Sequence, residues 1–206
     1  RLTKDGQSVS GDTFSMINLP SGELLMALSD GMGSGTSAFD DSKNVIELLE
    51  QMSEAGFSQT SAIRLINSLY VSDQEFENYA TLDISLINLY KGECSFLKNG
   101  AVGTYVLNQG KMYCIEGQSL PMGVVSDAEP YIGKMSLYPG DYVIMMTDGV
   151  ADMFSQERYN LEKFIKQIEI VNPGDMAQAI VDEAVSRNKG AVSDDMSVIV
   201  AGVWEN

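Results

Sequence analysis

The chain has 206 residues, 44% of them hydrophobic, which is enough to bury one sizeable core, and we predict a single domain over residues 1–206. Its 13 basic and 29 acidic residues give a formal net charge of −16, which argues against a nucleic-acid or anionic-membrane surface and favours cation binding. The complete absence of histidine excludes Ser-His-Asp and Cys-His catalysis, a histidine general acid and His-ligated zinc.

Compartment and processing signals are absent from the sequence as given. No apolar stretch approaches the length of a membrane span, and the first residues lack a basic-then-apolar signal pattern, so we expect a cytoplasmic domain. Because the chain begins at Arg1 without a methionine, we expect a piece cut from a longer protein. Cys94 and Cys114 lack the paired spacing of a structural zinc site, which favours ordinary buried thiols.

The first elements predict a hairpin that brings two carboxylates together. Residues 1–10 are polar and predict the end of an edge strand. An extended segment begins after Asp12, a turn falls at residues 20–23, and the apolar run that follows predicts a buried strand ending at Asp30. Asp12 and Asp30 are therefore expected at the same end of the hairpin.

A glycine-rich loop, Gly31 to Gly35, follows this strand at once, and its glycines would let the backbone approach a small ligand. A dinucleotide fingerprint fails because Thr36 stands at the third glycine position and Asp30 would face a pyrophosphate. A Walker loop fails because the loop has no lysine. A flexible connection between two elements remains as an alternative.

Two helices are predicted next, over residues 39–55 and 58–70. Gly56 is the expected stop between them, and Ser58 or Thr60 is the expected cap of the second. The predicted inward positions of the two helices are Val45, Leu48, Leu49, Met52, Ile63, Ile66, Leu69 and Tyr70.

The hydrophobic period then changes to two, which is typical of strands. Residues 82–86 alternate, and three further runs predict an antiparallel meander: 94–98, 103–107 and 112–115. Another strand is expected at 132–137. Residues 142–147 are apolar almost throughout, which predicts a strand buried on both faces and ending at Asp148.

The last third of the chain repeats the order of strand, acid and helix. After Asp148-Gly149 we expect a loop and a helix with inward residues Leu161, Phe164, Ile165 and Ile168. Asn172 and Pro173 predict the cap and first turn of another helix. Asp194 and Asp195 then precede a final strand at 198–204.

Carboxylates thus mark four strand ends: Asp12, Asp30, Asp148, and Asp194 or Asp195. Any one Asp-Gly pair is most often only a turn. Their recurrence after the two most apolar strands, with no adjacent Lys or Arg, favours a shared role. Clustered carboxylates repel one another and raise each other's pKa, and a hard divalent ion such as Mg²⁺ or Mn²⁺ relieves this.

Four motifs in this order resemble a known family: Ser10-Gly11-Asp12, Ser29-Asp30-Gly31-Met32-Gly33, Thr147-Asp148-Gly149-Val150 and Asp194-Asp195-Met196-Ser197-Val198. The family is the PPM class of metal-dependent serine/threonine protein phosphatases. Within it, three features look most like the phosphatase domains of the stage II sporulation protein E family: residues 29–35 followed by a long helix, residues 81–85 and residues 120–123. The resemblance covers nearly the whole chain.

The resemblance implies an α+β fold, a four-layer α-β-β-α sandwich with two central antiparallel sheets, and a site for two Mn²⁺ or Mg²⁺ ions. The metal and catalytic residues are carried over by position. Asp30 would bridge both ions, the Gly31 carbonyl would bind one, and Asp148 and Asp194 would complete the other, with Asp12 contributing directly or through water. Many relatives have Asn at the place of Asp195, and the choice between Asp194 and Asp195 stays open.

The implied reaction is hydrolysis of phosphoserine or phosphothreonine by a metal-activated water, without a covalent intermediate. Because the chain has no histidine, the leaving alkoxide would take its proton from water. The implied substrate is a regulatory phosphoprotein of the anti-anti-sigma-factor type in sporulation. The alternative is a catalytically weak or inactive interaction module on the same fold.

The resemblance also assigns a role to the helix pair at residues 39–70, which would act as a regulatory switch and a homodimer surface. Ordinary packing helices are the alternative there. A membrane anchor outside this stretch of chain is implied for the full-length protein.

Overall fold

The computed structural model describes residues 1–33, 35–72, 79–154, 158–168 and 171–205, with only the backbone of 158–160 included. The elements in chain order are β1 (Asp12–Leu19), β2 (Glu23–Asp30), α1 (Thr36–Glu54), α2 (Gln59–Ser72), β3 (Leu82–Asn88), β4 (Glu93–Asn99), β5 (Thr104–Asn108), β6 (Lys111–Ile115), β7 (Tyr131–Ser136), β8 (Tyr142–Met146), α3 (Asp148–Phe154), α4 (Arg158–Gln167), α5 (Pro173–Arg187) and β9 (Val198–Gly202).

These elements fall into two compact units. The hairpin unit comprises residues 9–101 and 117–136, and the terminal unit comprises residues 1–8, 102–116 and 137–206. Each unit contains one antiparallel sheet with its own helices, so the predicted α+β class is confirmed.

The hairpin unit has a five-stranded sheet in the order β1-β2-β3-β4-β7. Its core lies between one face of this sheet and the helices α1 and α2, and includes Leu25, Ile84, Leu49 and Ile63. The hairpin and both helices are confirmed. Of the predicted inward positions, Leu69 is wrong, because its side chain is 54% exposed.

The helix ends in this unit follow the sequence signals. Gly56 adopts a positive φ of 85° directly after α1, as expected for a stop. Ser58 rather than Thr60 caps α2, because its Oγ accepts a hydrogen bond from the Ser61 N–H at 3.2 Å.

The predicted meander is wrong, because its strands belong to different sheets. β4 pairs with β3 and β7, whereas β5 and β6 pair in the sheet of the terminal unit. The turn at Asn99-Gly100 therefore does not close a hairpin. Its glycine has φ +65°, and a Cβ there would lie 2.5 Å from the ring of Pro121. Alternation within a strand cannot reveal which sheet that strand joins.

The terminal unit has a four-stranded sheet in the order β6-β5-β8-β9. β8 is buried throughout, as predicted. It packs with α3, α4 and α5 in a core that includes Ile144, Met146, Phe154 and Ile180. The Asn172 cap is confirmed, since its side chain accepts bonds from the N–H groups of Gly174 and Asp175.

Three predicted boundaries in this unit need correction. The first ten residues do not form an edge strand and contribute only a single bridge from Leu2 to Met196. Helix α3 begins directly at Asp148, where a loop was expected. The last strand ends at Gly202, against which the ring of Trp204 packs. None of the described helices is both long and apolar enough to cross a bilayer.

Candidate active site

Asp12 and Asp30 lie directly opposite each other in the β1–β2 pair. Residues that face each other in this way have Cβ atoms about 4.5–5.5 Å apart on the same face of the sheet. Asp12 is fully buried, and Asp30 is partly exposed at the strand end. The expectation that the hairpin brings these two carboxylates together is confirmed. With Gly31 they form the hairpin half-site.

Thr81 holds the backbone of Asp30 from the neighbouring chain segment. The Asp30 N–H donates to Thr81 Oγ1 at 3.0 Å, and the Thr81 N–H donates to the Asp30 carbonyl at 2.8 Å. The Ser29 hydroxyl donates to the Thr81 carbonyl at 2.7 Å. These three bonds fix the peptide on both sides of the candidate ligand. In the sequence Thr81 stood out only as part of a motif, and the structure supplies its role.

Gly31 continues this pairing, with a bridge to Ala80 and an N–H that donates to the Gly11 carbonyl at 3.3 Å. A Cβ on Gly31 would lie 1.9 Å from the carbonyl oxygen of Ala38, so only glycine fits against α1. The packing of strand end against helix is thus one reason for glycine here. Ser34, in the same loop, lies outside the described residues.

The other two predicted ligands lie in the terminal unit, in adjacent backbone segments. Asp148 is the first residue of α3, and Asp194 lies in the loop before β9. A Cβ on Gly149 would lie 2.2 Å from the Asp195 carbonyl oxygen and 3.2 Å from the Asp194 Cβ. This tight contact brings the two segments together, and Asp148 and Asp194 form the terminal half-site.

Asp194 and Asp195 differ in environment. The Asp194 side chain is 52% exposed, and its Oδ1 lies 3.5 Å from the Lys4 ammonium. It also accepts the Asp195 N–H at 3.0 Å. The Asp195 residue is only 7% exposed, and its Oδ1 accepts the Lys4 N–H at 2.8 Å. Asp194 is therefore the more accessible carboxylate of the two.

A buried ion pair, not expected from the sequence, lies on the sheet of the hairpin unit. Lys98 Nζ lies 2.7 Å from Asp83 Oδ2, with side-chain exposures of 0% and 2%. Asp83 faces Leu28, two residues before Asp30, so its side chain lies on the same sheet face as that of Asp30. Simple alternation had marked Asp83 only as a polar position in a strand.

The cysteines take no part in either half-site. Cys94 is buried, as predicted, and burial followed by the nearby Asp83 charge raises the pKa of its thiol well above the usual range. Cys114 is only partly buried and donates from Sγ to Glu116 Oε1 at 3.5 Å. The environment of Cys94 therefore disfavours a thiolate.

The donor chemistry of the two half-sites fits a hard divalent ion, because carboxylate and backbone carbonyl oxygens are the ligands that Mg²⁺ and Mn²⁺ prefer. Each half-site supplies two of the predicted aspartates. Within the described parts of the chain, no group of three or more acidic or cysteine side chains lies close enough together to hold a metal ion.

Comparison with known proteins identifies the family of this chain. The family model of stage II sporulation protein E matches residues 20–204. The curated stage II sporulation protein E of Priestia megaterium is 34% identical over an aligned length of 206. The match covers 98% of this chain and 35% of the relative. The chain therefore spans about a third of that relative's length.

Solved structures of related proteins have the same fold as this chain. The structure of the PP2C phosphatase domain and a fragment of the regulatory domain of SpoIIE from Bacillus subtilis is 31% identical, with a TM-score of 0.90 over 99% of this chain and 60% of that one. RsbX, solved in complex with magnesium, is 22% identical, with a TM-score of 0.74 over 97% of this chain and 90% of its own. The latter likeness shows the fold alone.

The predicted PPM phosphatase fold is thereby confirmed, as is the similarity of this chain to SpoIIE phosphatase domains. The family model covers all but the first 19 residues and the last two. The chain belongs to the stage II sporulation protein E family.

Proposed function

We propose that residues 1–206 form one phosphatase domain that hydrolyses phosphoserine or phosphothreonine in a protein, with the help of two Mn²⁺ or Mg²⁺ ions. One observation supports this most directly. Asp12 and Asp30 face each other at the end of the β1–β2 pair, in a chain that matches the SpoIIE phosphatase domain over 99% of its length.

The proposed metal ligands are Asp12, Asp30, the Gly31 carbonyl, Asp148 and Asp194. When bound, such ions lower the pKa of a water towards neutrality and neutralise phosphate oxygens. The protein's own contribution is to hold the ligands rigidly. Thr81 fixes Asp30, and α1 fixes Gly31. The chain has no histidine, so water is the remaining proton donor to the leaving serine oxygen.

The proposed substrate is a regulatory phosphoprotein of the anti-anti-sigma-factor type, as membership of the sporulation family suggests. The net charge of −16 would repel an acidic phosphoprotein at long range. Recognition is therefore expected to rely on contacts around the site, and association is expected to speed up as salt screens the repulsion.

The test is release of phosphate from a phosphoserine protein, measured with and without Mn²⁺. We expect metal-dependent turnover in the parent, and its loss by more than about a hundredfold in Asp30→Asn and Asp148→Asn, beyond what outer-shell changes cost. Asp127→Asn, in an exposed loop, is the matched control. Turnover that survives both ligand changes contradicts the metal proposal. A parent without activity would instead support the alternative, a non-catalytic interaction module on the same fold.

We also propose that the helix pair at residues 39–70 forms a homodimer surface with a regulatory role. Three large apolar side chains are exposed on or beside α2: Phe57, Leu65 and Leu69. A groove of about 290 Å³ lies between α1 and α2. Analytical sedimentation of Leu65→Glu should then show fewer dimers than the parent, and a parent that is purely monomeric would refute the dimer surface.

The regulatory role is tested with Leu49→Ala, a change in the core that the two helices share. We expect its phosphatase rate to fall by more than the drop in its melting temperature accounts for.

A further inference from the structure

The first residues of the chain lie along the loop that carries Asp194. We call residues 2–5 the strap and residues 192–196 the ligand loop. Leu2 and Met196 exchange both backbone hydrogen bonds, at 2.8 and 2.9 Å. At the other end, the Asp5 N–H donates to the Val192 carbonyl at 2.8 Å, and Asp5 Oδ2 accepts the Val192 N–H at 2.9 Å. The strap therefore fixes the ligand loop at both ends.

Between these ends, Lys4 contacts both aspartates. Its N–H donates to Asp195 Oδ1 at 2.8 Å, and its ammonium lies 3.5 Å from Asp194 Oδ1. Hydrogen bonds from a backbone N–H to a carboxylate are stronger than bonds between neutral groups. The Asp195 carboxylate is buried and hydrogen-bonded to the strap, whereas the Asp194 side chain is half exposed.

We propose that Asp195 is a positioning residue, which ties the ligand loop to the strap and so holds Asp194 in place to bind a metal ion. This rests on the proposed function, in which Asp194 is a ligand. Partners behind a metal ligand commonly fix its orientation, and their loss weakens metal binding. The strap supplies such a partner from the opposite end of the chain.

The bond from the Lys4 N–H to Asp195 Oδ1 requires an acceptor oxygen and does not require a negative charge. An asparagine side chain carries the same acceptor at Oδ1, so Asp195→Asn should keep the strap attached. Asp195→Ala removes the acceptor. Lys4→Pro removes the N–H donor from the other side and leaves both aspartates unchanged. Lys4→Ala keeps that N–H.

The first readout is hydrogen–deuterium exchange in the metal-free full chain. Amides of residues 192–196 should exchange faster in Asp195→Ala and Lys4→Pro than in the parent. They should stay protected in Asp195→Asn and Lys4→Ala. Exchange of β8, which is buried throughout, reports whether each variant is folded. Unchanged exchange of the ligand loop in both Asp195→Ala and Lys4→Pro overturns the proposal.

The second readout is Mn²⁺ affinity, measured by calorimetry without substrate. We expect affinity to fall about 10- to 100-fold in Asp195→Ala and Lys4→Pro, the range for outer-shell partners, and to stay close to the parent's in Asp195→Asn. If Asp195→Asn loses Mn²⁺ while its ligand loop stays protected, Asp195 is itself a ligand and the proposal is wrong.

The two readouts separate this proposal from the function on which it rests. In one outcome the parent hydrolyses no phosphoserine, but its ligand loop exchanges faster in Asp195→Ala and Lys4→Pro. This supports the positioning role of Asp195 and refutes the proposed phosphatase activity. The opposite result is an active Mn²⁺-dependent parent in which Asp195→Ala and Lys4→Pro change neither the exchange of the ligand loop nor the Mn²⁺ affinity. It supports the proposed phosphatase activity and refutes the positioning role of Asp195.

Discussion

The two half-sites differ in how far along the chain their supports lie. In the hairpin half-site, Asp12 and Asp30 belong to one hairpin, and the residue that holds Asp30 lies 51 positions further on, next to the adjoining strand. In the terminal half-site, the loop of Asp194 is held by a residue 191 positions away. The first arrangement follows from local pairing, whereas the second exists only once the whole chain has folded.

The units that carry these half-sites also differ in charge. By sequence, the hairpin unit has 15 acidic and 5 basic residues, a net charge of −10, and the terminal unit has 14 and 8, a net charge of −6. One of the five basic residues of the hairpin unit, Lys98, is used in the buried pair with Asp83. The hairpin unit therefore has fewer basic residues per acidic residue than the terminal unit.

The largest expected effect is that of Lys98→Met. It leaves the Asp83 carboxylate buried without its ammonium, and breaking a buried pair in this way destabilises a protein by about 3–5 kcal/mol. Urea unfolding followed by circular dichroism measures the change. Lys91→Met, at an exposed turn, is the matched control. Equal stabilities of the two variants would show that the hairpin unit does not depend on this pair.

Gly31→Ala tests the contact of the hairpin half-site with α1. Its methyl group would lie 1.9 Å from a backbone oxygen, which cannot rotate away, so we expect a loss of about 2–3 kcal/mol and weaker Mn²⁺ binding. Gly33→Ala meets no atom within 4 Å and should cost only the backbone strain of its positive φ, about 1–2 kcal/mol. If Gly33→Ala is the more damaging change, the loop conformation rather than the helix contact requires the glycines.

Local pairing was predictable from the sequence, whereas the assignment of strands to sheets was not. Hairpin geometry fixes the Asp12–Asp30 register from pattern and turn. Both long helices follow from their apolar period, with Gly56 as the stop of the first and Ser58 as the cap of the second. The sheet to which β4 or β5 belongs does not follow, because alternation is the same in either sheet.

The contacts that hold the candidate ligands in place were less predictable than the candidate residues themselves. Motif spacing pointed to Asp148 and Asp194, whose segments do lie together. Lys4 gave no signal, since a backbone N–H that bonds across 191 residues leaves no local pattern. Lys98 and Asp83 are 15 residues apart, and their pairing depends on the register of β3 with β4. Such contacts become visible only when the strands are aligned.

Thr81→Val tests one hydrogen bond of the hairpin half-site. Valine keeps the shape of threonine but removes the acceptor of the Asp30 N–H, which should cost about 1–2 kcal/mol of unfolding free energy and about tenfold in Mn²⁺ affinity. Thr81→Ser retains the hydroxyl and should recover most of the affinity. Calorimetric titration of both variants with Mn²⁺ is the measurement. A serine variant as weak as the valine variant would show that the methyl group, and not the hydroxyl, supports Asp30.

The smallest expected effect concerns the acid excess of the hairpin unit. Asp41 on α1 is buried, and desolvation, followed by the charge of Asp40, raises the pKa of its carboxyl above 3.8. The folded state therefore binds a proton more readily than the unfolded chain, so the parent gains stability as pH falls through the raised pKa. At neutral pH the charged form is disfavoured in the fold, so Asp41→Asn should raise the unfolding free energy, by less than the other changes cost.

That gain should vanish below pH 3.8, where Asp41 is protonated in both the folded and the unfolded states. Thermal unfolding across this range measures it, with Asp127→Asn, in an exposed loop, as the control. A gain of the same size at every pH would mean that the amide improves the packing of α1, because a charge effect must disappear with the charge. The acid excess would then carry no energetic penalty at this position, and the contrast between the two units would reduce to the buried pair of Lys98 and Asp83.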